Sequence, residues 1–381
     1  MAAQNRQDMG SGPVKPLLLQ LMIPAVVAQV VNLLYNIVDR IYIGHIEGIG
    51  AAALTGVGLF APILMLLNAF AMLIGAGGAP RTAIALGQGN KEDAEKIIGN
   101  SFTMLLFFAV VLTIGFYAGA PILLRLFGAS EATLPYALAY SRIYILGSVC
   151  VLLVLGMNPF ITTQGFAKIS MLTTVIGAVI NIILDPILIF VLDMGVAGAA
   201  IATVTGQICA AILAITFNLT KNPDVHISFK GFKPQIIFVK NILSVGIPSI
   251  IMSSVGSAMT FGMNKILITF SSTAVAVFGV YFKLNSFVFM PVFGLNNGMV
   301  PIVSYNYGAQ NKKRLTKTIK LAIMYAVCIM FIGIMLFQFI PDVLLKLFDA
   351  SDHMLEIGIP ALRVISLSFA CLLYTSPSPR D

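Results

Sequence analysis

Charge is scarce in this sequence. Asp, Glu, Lys and Arg together make up 10% of its 381 residues, while hydrophobic residues make up 58%. A soluble domain carries about 25% charged residues, so an ordinary water-soluble design is excluded. Histidine occurs three times and cysteine four times. Neither has metal-ligand spacing, and Cys150, Cys209, Cys328 and Cys371 all sit in apolar runs, where they read as small buried hydrophobes. The segment GQGNKED (87–93) has glycines and a lysine but lacks the G-x-x-x-x-G-K spacing of a phosphate-binding loop. It reads as a turn. No nucleophile elbow occurs, and the polar N-terminus MAAQNRQDMGSGPVKP has no signal-peptide pattern. An ATPase, a hydrolase or a metalloenzyme therefore has no support, and the chain reads as a non-enzyme.

What the sequence has instead is long apolar runs. Mean hydropathy is +0.95. Each run of 18 or more residues is long enough to cross a bilayer about 30 Å thick as a helix. The runs are too long, and alternate too little, for barrel strands. The expected fold class is an all-α polytopic membrane protein with ten spans, near 16–43, 51–79, 97–120, 134–157, 168–192, 196–218, 241–269, 274–300, 318–340 and 355–374. Pro24, Pro248 and Pro186 sit inside predicted spans and are expected to bend them.

The basic residues fix an orientation. With the N-terminus in the cytoplasm, the inside segments hold Arg6, Lys15, Arg81, Lys91, Lys96, Lys168, Lys221, Lys230, Lys233, Lys240 and the cluster from Lys312 to Lys320. The outside loops hold only Arg125 and Lys346. This is the positive-inside pattern. It explains the net charge of +8 without nucleic acid as a partner. A multi-pass location in a plasma membrane, N-in, is expected, with lipid around the chain.

An internal repeat organises the spans. Shifting the chain by 221 residues puts Gly77, Pro80, Gly87, Asn90 and Lys91 onto Gly298, Pro301, Gly308, Asn311 and Lys312. Leu126-Phe127 falls on Leu347-Phe348, Arg142 on Arg363 and Cys150 on Cys371; Ile23-Pro24-Ala25 finds Ile247-Pro248-Ser249 at a shift of 224. One repeat is six spans, so the two lobes enter the membrane in the same direction, as a parallel repeat. The expected organisation is an N-terminal lobe over 1–218, a cytoplasmic linker over 219–240 and an incomplete second lobe over 241–374. Residues 375–381 read as a non-native tail. Two of twelve spans are expected to be missing.

Ionisable residues inside spans mark function. The carboxylates are Asp39 and Asp185, both in the first lobe. Asp39 shares a helix face with Tyr35 and Asn36, and Asn32 lies seven residues back; Asp185 shares a face with Asn181 and precedes Pro186. Pro186 cannot donate to the carbonyl of Ile182. Such an oxygen-rich set suits Na⁺ or protons as coupling ion, with no other cofactor. Two bland readings of Asp39 stay open: it faces the outer headgroups, or it pairs with Arg40. The register puts Met263 at its place in the second lobe. Asn32, Asn158, Gln164 and Lys283 are candidates for a substrate cavity, and Phe and Met side chains suit apolar cations.

Several stretches together resemble the MATE (multidrug and toxic compound extrusion) family: YNIVDRIYIG (35–44), GAGGAPRTAIALGQGNKEDA (75–94), NIILDPILIF (181–190), GVAGAAIAT (195–203) and NNGMVPIVSYNYGAQNKKR (296–314). The resemblance spans nearly all of residues 15–371. It implies two six-helix bundles that alternate between inward- and outward-open states and export organic cations against Na⁺ or H⁺. It also implies an ion site at Asp39, Asn181, Asp185 and Thr203, with Tyr35 beside it, and a chain that acts as a monomer. Two alternatives remain: a flippase for lipid-linked oligosaccharide or peptidoglycan precursors, which needs a basic cavity that only Lys283 offers, and a non-transporting receptor.

Overall fold

The computed structural model describes residues 8–218, 234–348 and 351–369. The expectations that rest on Arg6, Lys221, Lys230, Lys233, Cys371 and the 375–381 tail, and most of the 219–240 linker, lie outside those residues. Every element among them is helical. In order they are α1 (Val14–Gly44), α2 (Gly50–Gly58), α3 (Ala61–Gly87), α4 (Lys91–Leu126), α5 (Leu134–Thr163), α6 (Ala167–Pro186), a π-helical turn (Ile187–Val191), α7 (Gly195–Thr216), α8 (Ile236–Leu267), α9 (Ser272–Gly308), α10 (Lys312–Phe339), α11 (Pro341–Lys346) and α12 (Asp352–Ser366).

Eight helices among the described residues are long and apolar enough to cross a membrane, with α2 and α3 forming one span and the π turn extending α6. The eighth predicted span falls on α9, and a further apolar helix runs over Ile236–Met252. The tenth, expected over 355–374, is described only to residue 369. The chain is multi-pass. Large apolar side chains such as Met65, Phe107, Ile114 and Ile122 are more than half exposed. Lipid is the natural solvent for these faces.

Prolines act locally. Pro24 and Pro248 lie inside helices that run on through them. At Pro186 the α-helix stops and the π turn takes over. A missing amide donor is a common cause of this shift in hydrogen-bond period. The GQGNKED segment is the expected turn: Gly89 has φ +75°, and the Asn90 side chain accepts from the Asp93 amide to cap α4.

By contacts, the chain divides into two units interleaved in sequence. Unit one holds Met1–Gly12, Val27–Ile250 and Val300–Lys312; unit two holds the rest. The boundaries inside α1, α8 and α9 fall between Val26 and Val27, Ile250 and Ile251, and Met299 and Val300. Each lies within three residues of a proline: Pro24, Pro248 or Pro301. Unit one is built around α5, which packs on α2, α3, α4, α6 and α7. Its core contains Phe60, edge-on to both Tyr140 and Tyr144. Unit two has its own core, in which Phe278, Tyr281, Phe337 and Phe369 form a chain of ring contacts.

Candidate functional site

The site begins with two glycines. A Cβ at Gly206 of α7 would fall under 3.0 Å from the carbonyl oxygen of Gly177 in α6, and one at Gly177 would meet the Gly206 oxygen at 3.1 Å. The helices therefore touch backbone to backbone, as small residues allow in membranes. A turn from this crossing, Asn181 of α6 faces Thr203 of α7. The Asn181 amide donates to Thr203 Oγ1 and to Asp185 Oδ1, each at 3.2 Å. The Thr203 hydroxyl in turn donates to the Ala199 carbonyl at 3.0 Å.

Around this network the site is closed off from the surface. Asp185 is fully buried, and Asp39, Asn181 and Thr203 are buried too. Asp39 comes from α1 and lies close enough to Asp185, Tyr140 and Tyr144 for their charges to interact. Tyr140 and Tyr144, one turn apart on α5, stack with centroids 5.9 Å apart, and Tyr140 also reaches Thr203. Three buried oxygens have no hydrogen-bond partner: Asp39 Oδ1, Asn181 Oδ1 and Asp185 Oδ2. Burying a polar atom without a partner is costly. Acceptors left unpaired in one pocket call for a cation or a proton, and the donor set, all oxygen, fits a hard ion such as Na⁺. Among the described residues no group of three His, Cys, Asp or Glu is placed to hold a metal. The oxygens here come from two acids and an amide, with the Thr203 hydroxyl beside them.

The structure thus brings Asp39, Asn181, Asp185 and Thr203 into one neighbourhood. Tyr35 joins its edge, half-buried and within reach of Asn36 and Gln207. Asn36 itself is exposed, and its amide turns back to the main-chain oxygen of Asn32 at 2.6 Å. Arg40 is exposed, and its charge acts on Asp39 without a salt bridge between the two among the described residues. The cavity candidates scatter. Asn158 accepts from Thr173 at 3.0 Å and so ties α5 to α6. Gln164 is buried at the end of α5 and donates to the Phe160 carbonyl. Lys283, in unit two, is exposed, with its ammonium 5.6 Å from the Phe348 ring centroid.

Sequence reasoning missed Tyr140, Tyr144 and Gln207. Their signal was present: polar tips four apart in an apolar helix, and a glutamine one turn beyond Thr203. It also missed the Gly177–Gly206 crossing, because spacing within one helix says nothing of the helix opposite.

The chain matches the MatE family over residues 24–187 and 248–378, one stretch in each half. It is 29% identical over 311 residues to the multidrug export protein MepA of Staphylococcus haemolyticus, covering 80% of this chain and 68% of that one. It is 27% identical over 362 residues to MepA of Staphylococcus aureus, covering 93% and 78%. Among solved structures, a MATE protein in the bent conformation aligns with TM-score 0.89 and 28% identity, over 95% of this chain and 80% of that one. A straight conformation aligns with TM-score 0.85 at the same identity, over 95% and 81%. With a matching family model over most of its length, related exporters and the same helical fold, the chain belongs to the MATE family of membrane transporters.

Proposed function

We propose that this chain is a multidrug exporter that moves organic cations out of the cell in exchange for Na⁺ or H⁺. The observation that carries this reading is the buried group of unpartnered oxygens on Asp39, Asn181 and Asp185. A transporter needs a site whose occupancy changes its energy, because a ligand shifts an equilibrium only by its differential affinity for two states. A cation bound among them would supply a partner that these oxygens lack. The similarity to MepA supports the substrate class.

Occupancy acts through α1. That helix carries Asp39, and it passes from one unit to the other beside Pro24. A cation drawing Asp39 toward Asp185 bends α1 at Pro24, where the backbone has already lost a donor. Bent and straight conformations are both known for a related MATE protein. Orientation in a bacterial plasma membrane is N-in, on the loop charges, and one chain suffices as the working unit.

Ethidium efflux from vesicles under separately imposed Na⁺ and proton gradients tests the proposal. One gradient is expected to drive efflux and to fail in Asp185→Asn. Equal efflux with neither gradient would overturn coupling, and gradient-driven efflux untouched by Asp185→Asn would overturn the site.

A further inference from the structure

Helices α3 and α8 are pressed together along a second glycine seam. A Cβ at Gly77 would come under 3.0 Å from the Ile242 oxygen, and one at Gly246 under 3.0 Å from the Leu73 oxygen. One turn past Gly77 stands Arg81, and between Ile242 and Gly246 stands Ser244. Arg81 Nη2 reaches Ser244 Oγ at 3.3 Å, a marginal bond. Its Nε is buried and has no partner. No ion pair with a carboxylate satisfies it among the described residues.

A cavity of about 240 Å³ opens beside it. Its wall includes Arg81, Gln88, Asp93 and Asn241, with Ile97 and Phe238 on the apolar side. The cavity thus holds one positive group, one negative group and two amides. Asp93 Oδ2 accepts from the Asn90 side chain at 2.7 Å, which orients the carboxylate, and the charge of Lys96 also acts on it. Arg81 is half-buried, with its Nε edge unused, and such a guanidinium suits a phosphate, which takes its fork of donors in two parallel bonds. A carboxylate in the same cavity disfavours a purely anionic guest and favours one that also carries a primary ammonium.

We propose that this cavity binds a zwitterionic phosphoethanolamine headgroup of a membrane phospholipid, with its phosphate on Arg81 and its ammonium on Asp93. Gln88 and Asn241 supply amide donors to the phosphate, and the apolar wall takes the first carbons of the glycerol. Bound there, the lipid ties α3 to α8. The proposal needs only a chain embedded in lipid and is independent of the transported substrate and of the coupling ion.

The test is native mass spectrometry and thermal unfolding of the full chain in detergent. Phosphatidylethanolamine, phosphatidylglycerol, phosphatidylcholine and inorganic phosphate are added separately. Phosphatidylethanolamine is expected to bind and stabilise at about tenfold lower concentration than the other two lipids, the effect of one charge-assisted hydrogen bond. Arg81→Gln should weaken all three lipids by a similar factor, because each carries the phosphate. Asp93→Asn should raise phosphatidylglycerol to parity. Equal action of phosphatidylglycerol on the wild type, full stabilisation by inorganic phosphate alone, or lipid binding undiminished by Arg81→Gln would each overturn the proposal. Should Arg81→Gln fail to fold, the comparison of headgroups on the wild type decides.

Discussion

Gly87 of α3 and Gly308 of α9 meet reciprocally. A Cβ at Gly87 would strike the Tyr305 carbonyl oxygen, and a Cβ at Gly308 would strike that of Ile84, both under 3.0 Å. Both pairs, 87 with 308 and 84 with 305, are related by the 221-residue shift of the sequence repeat. The contact is therefore nearly isologous within one chain: each repeat offers the other the same pair of positions, with glycine kept at the crossing.

This reciprocity predicts non-additive substitutions. Gly87→Ala or Gly308→Ala alone should cost about 1–3 kcal/mol, because backbone rather than a flexible side chain stands in the way. Once one alanine has pushed the helices apart, the second meets less, so the double variant should cost clearly less than the sum. Thermal unfolding in detergent checks this. Simple additivity would mean the two glycines do not share one crossing.

Asp185 is fully buried, with one oxygen bonded to Asn181 and the other unpaired. Asp185→Asn keeps the volume and removes the charge that a cation requires. Efflux is expected to fall to background while protein yield and melting temperature stay near wild type. Retained gradient-driven efflux would separate this residue from coupling.

Asp39 and Arg40 are neighbours with opposite fates. Asp39 is 7% exposed, with an orphan oxygen, while Arg40 faces outward. Arg40→Ala should leave efflux within about twofold of wild type, since exposed charges contribute little. Asp39→Asn should abolish it. Parallel efflux assays on the two variants distinguish this from a salt-bridge role for the pair, in which both would fail together.

The Asn181–Thr203 bond joins α6 to α7. Thr203→Val removes the hydroxyl at similar volume and leaves the Asn181 amide short of an acceptor. A loss of about 1–2 kcal/mol is expected, read as a lower melting temperature, together with weakened ion-driven efflux. Gly206→Ala should do more harm to both, because the added carbon meets the Gly177 backbone. Should Thr203→Val unfold at the wild-type temperature, the bond is not contributing to the folded state.

Much of the site was legible in one dimension. An aspartate in an apolar run is costly enough to be conspicuous, and the i,i+4 spacing of Asn181 and Asp185 puts them on one face of whatever helix contains them. Pro186 marked the end of regular hydrogen bonding, and a π turn begins there. The aromatic wall was not legible. Tyr140 and Tyr144 look like any amphipathic side chains until α5 is placed at the centre of its unit. Asn36 shares a face with Asp39 by spacing, yet it is exposed and its amide turns back to the Asn32 carbonyl, a choice that spacing along one helix does not reveal.

The sequence by itself determined that this chain is helical, crosses a membrane repeatedly and is built as a repeat. These follow from hydrophobic run length, loop charge and self-similarity, all properties of the chain read in order. Tertiary structure alone decided which helices touch. Gly177 with Gly206, Gly77 with Ile242 and Gly87 with Tyr305 are encounters between distant segments. A glycine permits a close approach but does not name the partner. The packing of the other helices chooses it, and that choice sets Asn181 opposite Thr203 and leaves the guanidinium of Arg81 with an edge to fill.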